Sequence, residues 1–184
     1  MRNLGTLVVV CAAIVGLATV AAAQEMPPLP KPGPEHAIFK DVAGTWDAKV
    51  ETWMGPGEPA VSTGVETERI GCGGLCLISD FEGVFMGQTF EGHGTDTWDP
   101  QKGKYVGSWT DSMSTGLSVS ESSYDPATKT MTGWMEGPDM TGTVTKMKSV
   151  STMKNPDTRV LEMYNMGAEG KETLGMRITY TRKK

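Results

Sequence analysis

The sequence contains few of the residues that carry most enzyme chemistry. Its 184 residues include two histidines and three cysteines, and aromatic residues make up only 7%. It also lacks a Gly-x-Ser-x-Gly nucleophile motif, a His-Glu-x-x-His zinc motif and a phosphate-binding glycine loop. We therefore expect no enzymatic activity, and an enzyme of unknown type is kept only as a minor alternative.

Several carboxylates could still pair as a general acid and a general base. No pattern in the sequence selects two of them, and ionised side chains are seldom buried, so most are expected on solvated faces of strands. These residues are Glu66, Glu68, Asp80, Glu82, Asp96, Asp111 and Glu121.

The sequence has no cluster of basic residues. Lys and Arg number 17 against 22 Asp and Glu, which gives a formal net charge of −5. Because binding to nucleic acid requires a concentrated positive surface, we expect no such partner. Among the 13 methionines, Met163 and Met166 are closely spaced, but on a strand their side chains point to opposite faces. We expect neither a metal site nor a cofactor.

Residues 1–23 are typical of a cleaved signal peptide. Arg2 precedes an apolar run over residues 7–20, and the alanines at 21–23 are the small residues that a signal peptidase reads, so cleavage is expected before Gln24. A retained membrane anchor is the alternative, since the apolar stretch is nearly long enough to span a bilayer. We expect export to the periplasm or the extracellular space, with no membrane span after processing.

Residues 24–34 contain five prolines, which predicts an extended tether before a folded domain over residues 35–184. A short helix is expected over 35–42, because proline and glutamate suit a helix start. The rest of the sequence consists of short segments separated by turn signals. Three of these turns have the same Asx-Pro start and similar flanking residues: Asp99-Pro100, Asp125-Pro126 and Asn155-Pro156. The predicted strands are 45–54, 61–70, 75–83, 87–98, 103–112, 117–124, 129–136, 141–153, 158–166 and 172–182.

The strands alternate between apolar and polar residues. In the first strand Trp46, Ala48 and Val50 alternate with charged residues, so one side of the sheet is buried. This pattern predicts an all-β fold, an antiparallel up-and-down meander barrel of about ten strands. In a membrane barrel, outward charges such as Lys49 would face lipid at a cost of about 2–4 kcal/mol each near the midplane, so a soluble, monomeric barrel is expected.

A resemblance to a known family supports this fold. The sequence resembles a bacterial family catalogued as a domain of unknown function and grouped with the calycins, the superfamily of lipocalins, fatty-acid-binding proteins and nitrobindins. The resemblance implies a small antiparallel barrel with a ligand cavity and implies no established activity. It rests on residues 34–36 (PEH), 44–47 (GTWD), 98–100 (WDP), 102–107 (KGKYVG), 109–113 (WTDSM) and 178–184 (ITYTRKK).

Two more specific features follow from the resemblance. Gly44-Thr45-Trp46 is similar to the lipocalin Gly-x-Trp signature, which implies that Trp46 closes the barrel by stacking on an arginine of the last strand, Arg182 or alternatively Arg177. A nitrobindin-like haem site would need a histidine from a late strand. No histidine follows His93, so haem is not expected.

A ten-stranded barrel leaves more internal space than its side chains fill, which favours a small apolar or amphipathic ligand. The alternative is a filled barrel that serves as a structural or protein-interaction module of the cell envelope. The residues predicted to line the ligand site are Trp46, Phe81, Phe90, Tyr105, Trp109, Met176 and Tyr180.

Cys72 and Cys76 flank a Gly-Gly pair that can fold the chain back on itself. In an oxidising compartment this spacing favours a disulfide within a turn. Zinc binding and redox catalysis are the alternatives, and the four ligands of a zinc site are lacking.

Overall fold

The computed structural model describes residues 28–167 and 170–184, so the predicted signal peptide lies outside the described residues. A 3₁₀ turn at Pro34–Ala37 leads into α1 at Ile38–Val42, and a second 3₁₀ turn lies at Cys72–Gly74. The strands are β1 Gly44–Thr52, β2 Ala60–Gly71, β3 Cys76–Phe85, β4 Gln88–Asp99, β5 Lys104–Asp111, β6 Ser118–Asp125, β7 Thr130–Pro138, β8 Val144–Asn155, β9 Thr158–Met166 and β10 Glu172–Arg182.

The ten strands form one closed antiparallel barrel in which each strand pairs with its neighbours in sequence. The barrel closes where β1 pairs with β10, with Trp46 opposite Arg182. The predicted fold, an up-and-down meander with one short N-terminal helix, is confirmed. No helix in the described part of the chain has the length and hydropathy needed to cross a bilayer.

The recurring turns have the predicted chemistry. The side chain of Asp99 accepts hydrogen bonds from the backbone N–H groups of Gln101 and Lys102 at 2.9 and 3.2 Å. Asp125 and Asn155 each accept one from the residue two positions later, at 2.9 Å in both cases. These Asx turns reverse the chain between consecutive strands.

Two apolar clusters fill the barrel at different levels. One lies under α1 and is built on Phe39, Leu77 and Tyr105. The other lies deeper, around the fully buried Trp46 and around Phe81. Buried polar side chains separate the two clusters; they include Glu66, Glu68, Ser79 and Arg159.

Glycines facing the interior make room for large rings. The indole of Trp109 lies on the backbone of Gly92 and Gly94, where a Cβ atom would collide with it. The ring of Phe81 covers Gly64 in the same way. These two rings therefore occupy the space that a Cβ atom would need, and they belong to the deeper apolar cluster.

We predict that Gly92→Ala destabilises the protein by about 1–3 kcal/mol, because the new methyl group overpacks the ring of Trp109. Urea unfolding measures the change. Gly55→Ala is the control, since no atom lies within 4 Å of its Cβ position and its φ is not left-handed, and it should change stability by less than about 0.5 kcal/mol. Equal effects of the two substitutions would contradict this packing.

Candidate functional site

A cavity of about 520 Å³ lies between α1 and the interior of the barrel. Its volume is within the range of small-molecule sites in proteins. Apolar side chains such as Phe39, Leu77 and Tyr105 line part of its wall, and the charged side chains that line it from the barrel interior, here called the floor, are Glu68, Asp96 and Arg159. The remaining lining residues are Ile38, Lys40, Asp41, Val42, Ser122, Tyr124, Lys129, Met131, Ser151, Met153, Pro156, Asp157 and Arg182.

Helix α1 covers this cavity and is held by the two ends of the sheet. Trp46 Nε1 donates a hydrogen bond to the carbonyl of Val42 at 2.9 Å. Arg182 Nη1 and Nη2 donate to the carbonyls of Ala43 and Asp41 at 2.8 and 2.6 Å. The guanidinium of Arg182 also lies 4.0 Å from the centroid of the Trp46 ring. The two residues predicted to close the barrel are thus in contact, and together they anchor the end of the helix.

The floor is built on a buried ion cluster. Arg159 Nη1 donates to both carboxylate oxygens of Glu68 at 2.8 and 3.0 Å, and Nη2 donates to Glu66 at 2.8 Å. All three residues are less than 9% exposed. The guanidinium also lies 4.3 Å from the centroid of the Tyr180 ring. Burial alone lowers the pKa of Arg159, but the two glutamates outweigh this effect and raise it, so Arg159 stays charged.

Glu66, the second carboxylate bonded to Arg159, has a raised pKa. Burial and the neighbouring charge of Glu68 raise the pKa of Glu66 from its ordinary 4.5 to about 7, although Arg159 acts in the opposite direction. Burial, and next the charge of Glu66, raise the pKa of the Tyr180 hydroxyl well above its usual value. The protonation states of Glu66 and Tyr180 therefore depend on burial and on the neighbouring charged groups.

Asp96 completes the floor from β4. Its carboxylate lies against Gly107, and a Cβ atom there would collide with it, so this glycine provides the space for the carboxylate. Burial, together with the charge of Glu68, raises the pKa of Asp96 from its ordinary 3.8 to about 6. The floor thus carries three carboxyl groups against one guanidinium, and it can accept hydrogen bonds from a polar group that enters the cavity.

The structure separates the seven residues predicted to line a ligand site. Tyr105 lines the cavity, and its hydroxyl donates to the carbonyl of Glu35 at 2.8 Å. The other six lie in the deeper apolar cluster or pack against it, and the rings of two of them, Phe81 and Trp109, lie on interior glycines. These six residues are Trp46, Phe81, Phe90, Trp109, Met176 and Tyr180.

The sequence patterns do not predict the ion cluster of Glu66, Glu68 and Arg159 as part of a site. Glu66, Glu68 and Asp96 were expected to be solvated with the other carboxylates, but they lie on the inner face of the barrel. A signal was available in the hairpin register. Glu66 pairs directly with Trp46, and paired residues of neighbouring strands point to the same side of a sheet.

Cys72, Cys76, His36 and His93 lie outside the cavity lining. Cys72 and Cys76 form a disulfide across the turn between β2 and β3, with Cα atoms 5.5 Å apart. His93 is exposed and hydrogen-bonds to Asp80 at 2.6 Å, while His36 accepts from the backbone N–H of Gly33 at 3.0 Å.

The architecture is that of a small, closed antiparallel barrel of ten strands. A family model described as a protein of unknown function, DUF1579, matches residues 31–182. This match covers most of the chain, so the chain belongs to that family. A comparison with curated proteins found no match.

Two solved structures resemble the barrel. The S-type phycobiliprotein lyase from Guillardia theta has a TM-score of 0.52 and 11% sequence identity, over 80% of this chain and 91% of the lyase. A redesigned β-barrel has a TM-score of 0.45 and 15% identity, over 79% of this chain and 95% of the designed one. At these identities the likeness to the lyase concerns the fold alone.

We predict that Arg159→Met destabilises the protein by about 3–5 kcal/mol at pH 8, because two buried glutamates lose their counter-charge. The loss should be smaller at pH 5, where the unpaired glutamates can protonate. Chemical unfolding at the two pH values measures both effects. The control combines Arg159→Met with Glu66→Gln and Glu68→Gln, and it should recover most of the lost stability. A loss independent of pH, or no recovery in the control, would contradict an ion cluster.

We predict a second dependence of stability on pH. Folding raises the pKa of Glu66 to about 7 and that of Asp96 to about 6, so their contribution to stability is complete below the unfolded values and is lost as the pH rises through these two values. Asp96→Asn removes one of these groups. Its stability relative to wild type should therefore increase between pH 4 and pH 7, by up to about 3 kcal/mol. Urea unfolding across this range tests the trend, and a constant difference would contradict it. Asp47→Asn, on the outer face, is the control.

Proposed function

We propose that the protein binds a small amphipathic molecule in the cavity under α1. The observation that carries the proposal is the division of the cavity into two parts. The apolar cluster of Phe39, Leu77 and Tyr105 lines one part, and the ionised or ionisable side chains of the floor line another. Such a site favours a ligand whose apolar body lies near the helix and whose polar end points into the barrel.

The position of the remaining reactive side chains supports binding and not catalysis. Both histidines of the chain lie outside the cavity lining, and Cys72 and Cys76 are joined in a disulfide. Among residues 28–167 and 170–184, no group of three or more His, Cys, Asp or Glu residues has the arrangement of a metal site. The cavity therefore offers recognition groups, without a nucleophile and base in hydrogen-bond contact.

The proposal includes export of the protein to the periplasm or the extracellular space. The apolar run over residues 7–20, followed by three alanines, supports removal of a signal peptide. The disulfide between Cys72 and Cys76 fits an oxidising compartment. In that setting the protein would act as a monomeric carrier or sensor of its ligand.

An exposed apolar surface favours a second candidate, a protein-interaction module of the cell envelope. Large hydrophobic side chains on and beside β6, β7 and β8 are 39–66% exposed. Exposed apolar side chains that are contiguous commonly mark interaction sites. The residues concerned are Leu117, Val119, Trp134, Met140 and Val144.

We predict saturable binding of the neutral fluorescent probe N-phenyl-1-naphthylamine to the wild-type protein. Met131→Trp fills part of the cavity and should weaken this binding at least about tenfold, or about 1.4 kcal/mol. Met140→Trp, at an exposed position outside the cavity, is the control and should bind as wild type. Fluorescence titration measures the affinities. Absence of saturable binding would favour the interaction module, and equal binding by both variants would place the probe elsewhere.

A further inference from the structure

The floor of the cavity contains more negative than positive groups. The single guanidinium, Arg159, is already occupied by Glu66 and Glu68 at 2.8–3.0 Å. The third carboxyl group, Asp96, therefore has no basic partner in the floor. The other basic side chains of the cavity lining are Lys40, Lys129 and Arg182.

None of these three basic residues provides a counter-charge for the carboxylates of the floor. Arg182 is committed at the cavity mouth, where its nitrogens bond to the carbonyls of Asp41, Ala43 and Pro156. Lys40 and Lys129 are exposed, on α1 and on the turn before β7.

The polar groups of the floor are incompletely satisfied. Within residues 28–167 and 170–184, the structure gives the carboxylate of Asp96 no hydrogen bond and no salt bridge, although it lines the cavity. In the same part of the chain, Nε of Arg159 is buried without an acceptor, and Arg159 is only 8% exposed. Buried polar groups are normally paired. The carboxylate of Asp96 is therefore available to accept a hydrogen bond from a ligand, and the surplus of carboxylates favours a positively charged donor. Nε–H of Arg159 is itself a donor and needs an acceptor, which an ammonium group does not supply.

We propose that the ligand is a cationic amphiphile whose protonated amine binds Asp96, with Glu68 beside it, and whose apolar chain lies among Phe39, Leu77 and Tyr105. This inference rests on the proposed function and specifies the chemical class of the ligand. An anionic head group would add a negative charge next to these carboxylates, because Arg159 is already neutralised. An alcohol could donate a hydrogen bond to Asp96 but would leave its charge unpaired.

Binding of an amine should depend on pH in a defined direction. The ionisable groups around the bound head are Glu66 and Glu68 on β2, Asp96 on β4, Arg159 on β9 and Tyr180 on β10. An ammonium group favours ionised Asp96, whose pKa burial raises to about 6 in the free protein. An alkylamine remains protonated throughout this range, as lysine does. Affinity for an amine should therefore increase from pH 5 to pH 7.5.

Three probes with the same alkyl chain test this inference: decylamine, 1-decanol and decanoate. Each displaces N-phenyl-1-naphthylamine from the wild-type protein in fluorescence titrations at pH 7.5. Decylamine should bind at least about tenfold more tightly than 1-decanol, as expected for a charge-assisted hydrogen bond in a buried site, and decanoate should bind most weakly. The preference for decylamine should shrink at pH 5.

A matched pair of variants locates the effect. Asp96→Asn should reduce the preference for decylamine over 1-decanol to less than about twofold, whereas Asp47→Asn on the outer face should keep the wild-type ratio. Far-UV circular dichroism checks that both variants fold. The wild-type comparison is decisive even if Asp96→Asn does not fold.

The outcomes distinguish this inference from the proposed function. If 1-decanol or decanoate binds wild-type protein as tightly as decylamine does, the amine inference is overturned and an amphiphile-binding site stands. If an amine preference persists unchanged in folded Asp96→Asn, the assignment to Asp96 is overturned. If none of the three displaces the probe, the proposed function itself fails.

Discussion

The contact of Arg159 with Glu66 and Glu68 joins two strands that are not neighbours in the sheet. β9 and β2 are separated by β1 and β10, so the ion cluster links them through the interior of the barrel. Charges removed from water are tolerated only with close counter-charges and hydrogen bonds, and this requirement limits how the strands can shift. The cluster thereby fixes the distance between β2 and β9 across the interior. It also forms part of the floor of the cavity.

The arrangement of the interior follows from this constraint. The rings of Phe81 and Trp109 lie on interior glycines, whereas Phe39, Leu77, Tyr105 and the five-residue helix line the cavity. A uniformly apolar interior of ten strands would have no preferred depth for a guest molecule. The charged layer gives the barrel a polar end inside, so the two ends of a guest are distinguished.

Local patterns were sufficient to predict the fold. Alternation in strands such as β1, together with the Asx turns at Asp99 and Asp125, predicted a meander whose strand ends differ from the observed ones by a few residues. The site depended on which face of each strand is inside, and for β2 this was ambiguous because both faces carry polar residues. Seven aromatic or large residues were therefore assigned to the ligand, although six of them pack in the apolar core, two of these, Phe81 and Trp109, against glycines of neighbouring strands. Glu66 is identified as inward-facing only by the register between β1 and β2, which pairs it with the buried Trp46.

The position of Arg182 has a consequence for how the protein folds. This residue lies at the end of the final strand, yet its guanidinium holds the carbonyls at the end of the first helix. The roof of the cavity therefore cannot assemble until the chain is complete, and until then β1 and β9 are unpaired edges. Contacts between the two ends of a chain form slowly because they close the longest loop. A chain that lacked the end of β10 would lose the pairing of Arg182 with Trp46 and the hydrogen bonds of Arg182 to Asp41 and Ala43, so the β1–β10 seam and the cover of the cavity form together.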